Sequence, residues 1–95
     1  MKISELRADE IIRKMWADFG ISIVDTGSYS GFIKNPSYDI WFPRLDENGE
    51  IVSLRREYCD VVHLHYFSDV KRFISRKAKN EPEYFRLCYK SMRVG

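Results

Sequence analysis

The sequence predicts a small α+β domain, with an antiparallel sheet of three to four strands and helices packed on one face of it. Three observations support this prediction: an apolar stripe with the helical period near the N-terminus, an Asn48-Gly49 pair between two strand-like segments, and two amphipathic helical patterns at the C-terminal end. The length of 95 residues suits a single compact domain spanning residues 1–95. A hydrophobic content of 44% is that of a folded protein.

The N-terminal helix is predicted from apolar residues that recur every three or four positions. We expect this stripe to face the core; it consists of Ala8, Ile11, Ile12, Met15, Trp16 and Phe19. Ser4 is the expected N-cap, because its hydroxyl can accept a hydrogen bond from a free backbone N–H. Gly20 is expected to end the helix, because glycine adopts the left-handed backbone conformation without steric cost.

Two strands and a tight turn are predicted in the middle of the chain. Residues 38–45 and 50–56 have strand character, and Asn48-Gly49 between them is a strong hairpin signal. Pro43 predicts that its strand lies at an edge or carries a bulge, because proline cannot donate a ladder hydrogen bond. Since an edge strand can pair with another chain, a homodimer is a possible assembly.

Shorter patterns flank this hairpin. Residues 21–25 are predicted to form a strand, and residues 26–31 form a Gly/Ser-rich surface loop that carries Tyr29 and is a candidate binding loop. Trp41 and Phe42 are adjacent, so they point to opposite faces of a regular strand. We expect one of them to pack inward.

Residues 58–67 form the longest apolar run and are predicted to be the central strand, with a helix starting at Asp60 as the alternative. The side chains expected to face the core are Val62, Leu64 and Tyr66. Those expected on the other face are Cys59, Val61, His63, His65 and Phe67.

Two helices are predicted after this strand, over residues 69–79 and from Pro82 onward. Ser68 is the expected N-cap of the first one. Acidic residues predominate in the first half of the chain and basic residues in the second, although the net charge is only +2. This asymmetry suits a partner with an acidic surface or a phosphate backbone.

The two cysteines, Cys59 and Cys88, lie far apart and have no zinc-binding spacing. No metal or other cofactor is therefore expected. The first twenty residues carry many charges, so they resemble neither a signal peptide nor a membrane span. These features predict a cytoplasmic protein that does not contact membranes.

The His63-Leu64-His65 pattern has chemical potential, because residues i and i+2 of a strand face the same way and two imidazoles can share a divalent metal. The pattern resembles the His-hydrophobic-His signature of the HUH single-strand nucleases and relaxases. That resemblance implies a metal held by the histidines, and a tyrosine on a later helix, Tyr84 or Tyr89, that forms a phosphotyrosine link.

The main functional prediction is a non-enzymatic interaction protein of the regulator or inhibitor type, a kind of protein that phages often encode. It would bind another protein through exposed aromatic residues and its basic half. The expected contact residues are Tyr29, Trp41, Arg55, Arg56, Lys71, Arg72, Arg76, Lys79, Arg86 and Lys90. One alternative is nucleic-acid binding by the basic helices, with Tyr29, Trp41 and Tyr66 stacking on bases. The HUH-like nuclease is the other alternative.

Overall fold

The computed structural model describes residues 2–94 and confirms the α+β fold class. The elements in chain order are a 3₁₀ turn at Ile3–Glu5, α1 at Ala8–Phe19, β1 at Ser22–Asp25, β2 at Ser28–Ser30, β3 at Ile33–Asn35, β4 at Tyr38–Pro43, a 3₁₀ turn at Arg56–Tyr58, β5 at Cys59–Leu64, α2 at Phe67–Asn80 and α3 at Pro82–Val94. Three strands form an antiparallel sheet in the order β1-β4-β5, and β2 pairs only with β3.

β4 is the central strand of the sheet, and this corrects two predictions. Residues 58–67 contribute the strand β5, not a helix, but β5 lies at an edge. β4 pairs on both sides, so it has no free edge on which another chain could add a strand. The sheet tolerates Pro43 because it is the last residue of β4, where the ladder ends.

The predicted return strand over residues 50–56 is absent; only the turn before it forms. The Asp46 N–H donates to the Glu50 carbonyl over 2.7 Å, and Gly49 adopts a φ of 78°. A single bridge, from Leu45 to Ile51, follows the turn. The position beside β4 is taken by β5, because its Val62 and Leu64 supply apolar side chains that pack against the core.

Residues 26–37 form a segment that we call the arm. A loop was predicted over residues 26–31, but this part of the chain contributes a strand. In the arm β2 and β3 make a small hairpin whose six strand residues are all exposed. The base of the arm is closed by an ion pair of 2.8 Å between Lys34 and Asp25. The Thr26 N–H also donates to the Ser37 carbonyl over 2.8 Å.

The core lies between one face of the sheet and the three helices. Its fully buried side chains include Ile11 of α1, Ile40 of β4, Ile74 of α2 and Cys88 of α3. Phe42 is also buried, so of the two adjacent aromatics it is Phe42 that packs inward. Burying such side chains is what stabilises a domain of this size.

Several local predictions need correction. Ser4 lies in the first 3₁₀ turn and does not cap α1. The N-cap is Arg7, whose backbone N–H donates a hydrogen bond to the Glu10 carboxylate. Ser68 lies inside α2, which begins at Phe67. Since β5 ends at Leu64, Tyr66 is exposed and Phe67 packs against the core, the reverse of their predicted positions. Gly20 ends α1 as predicted, with a φ of 65°.

Candidate functional site on the open face of the sheet

The face of the sheet opposite the helices carries the candidate site. Strand alternation places Asp39 and Trp41 of β4 on this face, together with their cross-strand neighbours His63 and Val61 of β5. Val61 is 49% exposed, whereas the next residue, Val62, packs against the core. We call this surface the open face; it comprises Ser22, Val24, Ser37, Asp39, Trp41, Val61 and His63.

A groove of about 560 Å³ lies at one end of the open face. We call it the Trp groove; its lining residues are Trp16, Gly20, Ser22, Trp41, Ser53, Leu54, Arg55, Arg56 and Cys59. The Arg56 guanidinium lies 5.7 Å from the centre of the Trp41 ring, a cation–π distance, and donates to the Ser22 hydroxyl over 3.2 Å. The groove therefore combines an aromatic surface with a positioned cation.

The end of α1 shapes this groove. Trp16 belongs to the apolar stripe that was predicted to face the core, but its side chain is 53% exposed and turns toward the groove. Leu54 reaches the helix end because Gly20 has no side chain: a Cβ at position 20 would lie 3.0 Å from Leu54 Cδ1. The exposure of Trp16 was not predicted, because a helical stripe of this width does not reveal which edge the core covers. The contact of Leu54 with Gly20 was not predicted either, because the two residues are far apart in sequence.

A hydrogen-bonded triad of Ser37, His63 and Asp39 lies farther along the same face. Asp39 Oδ1 is 2.5 Å from His63 Nδ1, and His63 Nε2 is 3.1 Å from Ser37 Oγ. The Thr26 hydroxyl donates to Ser37 Oγ over 2.8 Å. The sheet register creates the arrangement, because Asp39 and His63 are directly paired and Ser37 precedes Asp39 by two residues.

Of the residues expected for a metal-dependent nuclease, the two histidines lie together and the two tyrosines lie elsewhere. The rings of His63 and His65 are 5.5 Å apart, but among residues 2–94 no group of three or more His, Cys, Asp or Glu side chains could hold a metal. Tyr84 is buried on the helix side of the sheet, where burial raises the pKa of its hydroxyl. Tyr89 is partly exposed and packs on Phe19 in the helical layer.

The predicted contact residues occupy three separate places. Trp41, Arg55 and Arg56 meet in the Trp groove. Tyr29 lies on the arm, where Phe32 and Ile33 are also highly exposed. Phe32 and Ile33 were not predicted as contact residues. Gly31, which precedes them and adopts a positive φ, marks the turn that exposes them. The third place is the helical surface that carries the remaining basic residues.

A second groove, of about 700 Å³, lies between the N-terminal 3₁₀ turn and α2. We call it the basic groove; its lining residues are Lys2, Ile3, Ser4, Ser68, Lys71, Arg72, Ser75, Ala78 and Lys79. Arg72 also pairs with Asp69 over 3.7 Å. Arg76 is exposed on α2 without lining this groove, while Arg86 and Lys90 lie on α3, where Arg86 pairs with Glu83.

No protein-family model matches the sequence, and no curated protein or solved structure matches it. None of the helices within residues 2–94 is long and apolar enough to cross a membrane. The function therefore has to be inferred from the two grooves, the triad and the charges around them.

Proposed function

We propose that the protein acts by binding another protein, and that the Trp groove is the contact site. The observation that carries this proposal is the Trp41 ring with the Arg56 guanidinium stacked over it, next to the half-exposed Trp16. Tryptophan and arginine are enriched among the residues that dominate binding energy at protein interfaces. Trp16 and Arg56 are exposed and Trp41 is half-buried, so a partner can reach this cluster from solvent.

The groove indicates what the partner must supply. Its apolar lining from Trp16, Trp41 and Leu54 suits an aromatic or aliphatic side chain. Arg56 has a neutral partner, the Ser22 hydroxyl, so its positive charge is available to a carboxylate. We therefore infer a partner that presents an apolar side chain beside an acidic one. We assign this binding to the cytoplasm, where cysteines such as Cys59 stay reduced.

A capture experiment with two matched variants tests this proposal. Immobilised wild-type protein, Trp41→Ala and Tyr66→Ala are each exposed to lysate of the native host, and retained proteins are quantified by mass spectrometry. Tyr66 is the control, because it is an exposed aromatic outside the Trp groove. A partner retained by wild type and Tyr66→Ala but lost with Trp41→Ala supports the proposal. Equal retention by all three, or retention of nothing, contradicts it.

The identified partner then allows a quantitative test of Arg56. We expect Arg56→Gln to weaken binding by about tenfold, since hydrogen bonds between charged groups contribute roughly 1.5–3 kcal/mol. Isothermal titration calorimetry measures the dissociation constant. An Arg55→Gln variant is the comparison, because Arg55 already pairs with Glu57 over 3.2 Å and should contribute less.

The basic groove favours nucleic-acid binding as a second candidate function. Lys2, Lys71 and Lys79 line it with the hydroxyls of Ser4, Ser68 and Ser75, and no lining residue is acidic. Ammonium and hydroxyl groups are common donors to phosphate oxygens. The lining also contains no aromatic residue, so contact with a phosphate backbone would carry no base recognition.

Two double variants with the same charge change test this second candidate. Fluorescence anisotropy measures binding of single- and double-stranded oligonucleotides across a range of salt concentrations. Lys71→Gln/Lys79→Gln removes two groove cations, whereas Arg86→Gln/Lys90→Gln removes two cations on α3. We expect the first variant alone to lower the salt dependence for duplex by about 1.8 in log–log slope, roughly 0.9 per lost phosphate contact. Equal losses for both variants, or no binding at low salt, would refute it.

A further inference from the structure

We propose that Ser37 is a nucleophile activated by His63, and that the open face has an ester-cleaving activity in addition to the proposed binding of a protein. Serine is a weak nucleophile unless a base accepts its proton, and that base must be oriented by a third group. His63 and Asp39 occupy these two positions. The inference does not rest on the proposed function, because none of the three triad residues lines the Trp groove.

The hydrogen-bond geometry meets the requirements of a nucleophile and its base. The distance of 3.1 Å between Ser37 Oγ and His63 Nε2 allows direct proton transfer. Asp39 accepts the hydrogen bond of Nδ1–H, which leaves the lone pair on Nε2 facing the serine. Thr26 donates to Ser37 Oγ, so the serine proton is free to point toward His63.

The sheet fixes the base and its orienting carboxylate, and the triad is accessible to solvent. His63 lies on β5 and Asp39 on β4, paired with one another in the sheet register, so neither depends on a loop for its position. The His63 side chain is 55% exposed, whereas that of Asp39 is 26% exposed. A substrate can therefore reach Nε2 and Ser37 from solvent, while the orienting carboxylate is more enclosed.

The position of the Trp groove indicates the class of ester. Ser37 lies immediately before β4, and Trp41 follows it by four residues, which corresponds to about 13 Å of extended chain. Val61, opposite Trp41, adds exposed apolar surface at this end. An extended aliphatic acyl group whose ester carbonyl lies at Ser37 would end against the Trp41 ring. The favoured substrate is therefore a carboxylic ester with a long acyl chain.

The reaction needs no reagent other than water. Ser37 Oγ bonds to the ester carbonyl carbon while its proton passes to His63 Nε2, and Asp39 stabilises the resulting imidazolium. The bond between the carbonyl carbon and the alcohol oxygen breaks as Nε2 returns the proton to that oxygen. A water molecule then gives one proton to Nε2 and attacks the acyl carbon. The bond between the acyl carbon and Ser37 Oγ then breaks, the carboxylic acid leaves, and His63 Nε2 returns the proton to Oγ.

Labelling and turnover experiments on the full-length protein test the role of Ser37. The probes are a fluorophosphonate, with the modified peptide mapped by mass spectrometry, and p-nitrophenyl esters of acetate and laurate. We expect a single modification at Ser37. Ser37→Ala should lower ester cleavage by about 100-fold or more, because the covalent route is lost together with the general base catalysis that serves it. Ser30→Ala is the control, since Ser30 is an exposed serine on the arm. Modification elsewhere, or cleavage by Ser37→Ala at the wild-type rate, would overturn the proposal.

Asp39 is a positioning residue, and its test needs a spectroscopic readout. Nitrogen-15 NMR of the imidazole ring should show His63 protonated at Nδ1 in the wild type, and this tautomer should be lost in Asp39→Asn together with Ser37 labelling. Unchanged labelling of Asp39→Asn would overturn the assignment. Trp41→Ala should abolish the preference for laurate over acetate, measured as the ratio of the kcat/KM values for the two esters. Retention of the preference would overturn the proposed acyl position.

Partner capture by Ser37→Ala should equal that of wild type, which separates this activity from protein binding.

Discussion

The Tyr84 hydroxyl of α3 donates a hydrogen bond of 2.6 Å to the carbonyl oxygen of Pro43, the last residue of β4. The bond joins the C-terminal helix to the central strand at the point where the ladder ends. Lys77 lies 4.5 Å from the centre of the Tyr84 ring, and Phe42 packs against the same ring. Tyr84 is therefore a structural residue that connects the helical layer to the sheet.

Replacing Tyr84 by Phe removes this hydrogen bond and leaves the buried Pro43 carbonyl without its Tyr84 partner. We expect the free energy of unfolding to fall by about 1–3 kcal/mol, the cost of an unsatisfied buried polar group. Urea denaturation followed by circular dichroism measures it. Tyr89→Phe, which removes a partly exposed hydroxyl on the same helix, should change stability by less than about 0.5 kcal/mol. Equal effects of the two substitutions would contradict this role of Tyr84.

Gly20→Ala should destabilise the protein more than Gly49→Ala. Both glycines have a positive φ, so each alanine incurs roughly 1–2 kcal/mol of backbone strain. At Gly20 the new methyl group also meets Leu54 at 3.0 Å, whereas at Gly49 nothing lies within 4 Å. We expect an additional loss of about 1 kcal/mol at Gly20 from this overpacking, measured by thermal unfolding. Similar losses at both positions would show that Leu54 moves away freely.

The ion pair between Lys34 and Asp25 at the base of the arm should be lost only in strong acid. The hydrogen bond from Lys34 and that from the Gly27 N–H hold the pKa of Asp25 below its ordinary value of 3.8. Because the folded pKa is depressed, the stabilising effect is complete above pH 3.8 and is lost as the pH falls through the lower, folded value. Amide NMR signals of the arm, recorded from pH 7 to pH 2, report this change. Asp25→Asn should remove the transition, and a transition near neutral pH would contradict the assignment.

The two cysteines should differ in reactivity. Cys88 is fully buried, and burial raises the pKa of its thiol to about 11. Cys59 is only partly buried and lines the Trp groove, although burial raises its pKa as well. A thiol reagent such as dithiobis-nitrobenzoate should therefore modify Cys59 slowly in the native protein, and Cys88 only after unfolding.

Stoichiometry with and without denaturant measures this difference. The Cys59→Ser variant should show no native-state modification, and rapid reaction of two thiols in the wild type would refute the burial of Cys88. Modification of Cys59 should also weaken partner binding, because the added aromatic group would occupy part of the Trp groove.

Features that depend on neighbouring residues were predictable from the sequence. The apolar spacing of α1 and the termination at Gly20 both follow from local backbone geometry, as does the turn at Gly49. The fold class followed as well, because each helix and most strands carry a periodic pattern of their own. These patterns require no knowledge of which segments become neighbours in space.

The sheet order and the candidate site were decided by tertiary structure. Residues 50–56 and β5 both had strand character, and the choice between them as the partner of β4 depended on which one could also pack against the helices. The same pairing brings His63 to Asp39, 24 residues away in sequence, and to Ser37, 26 residues away. Sequence reasoning considered His63 only with its neighbour His65, because periodicity places residues on a face of a strand but does not specify which strand lies beside it.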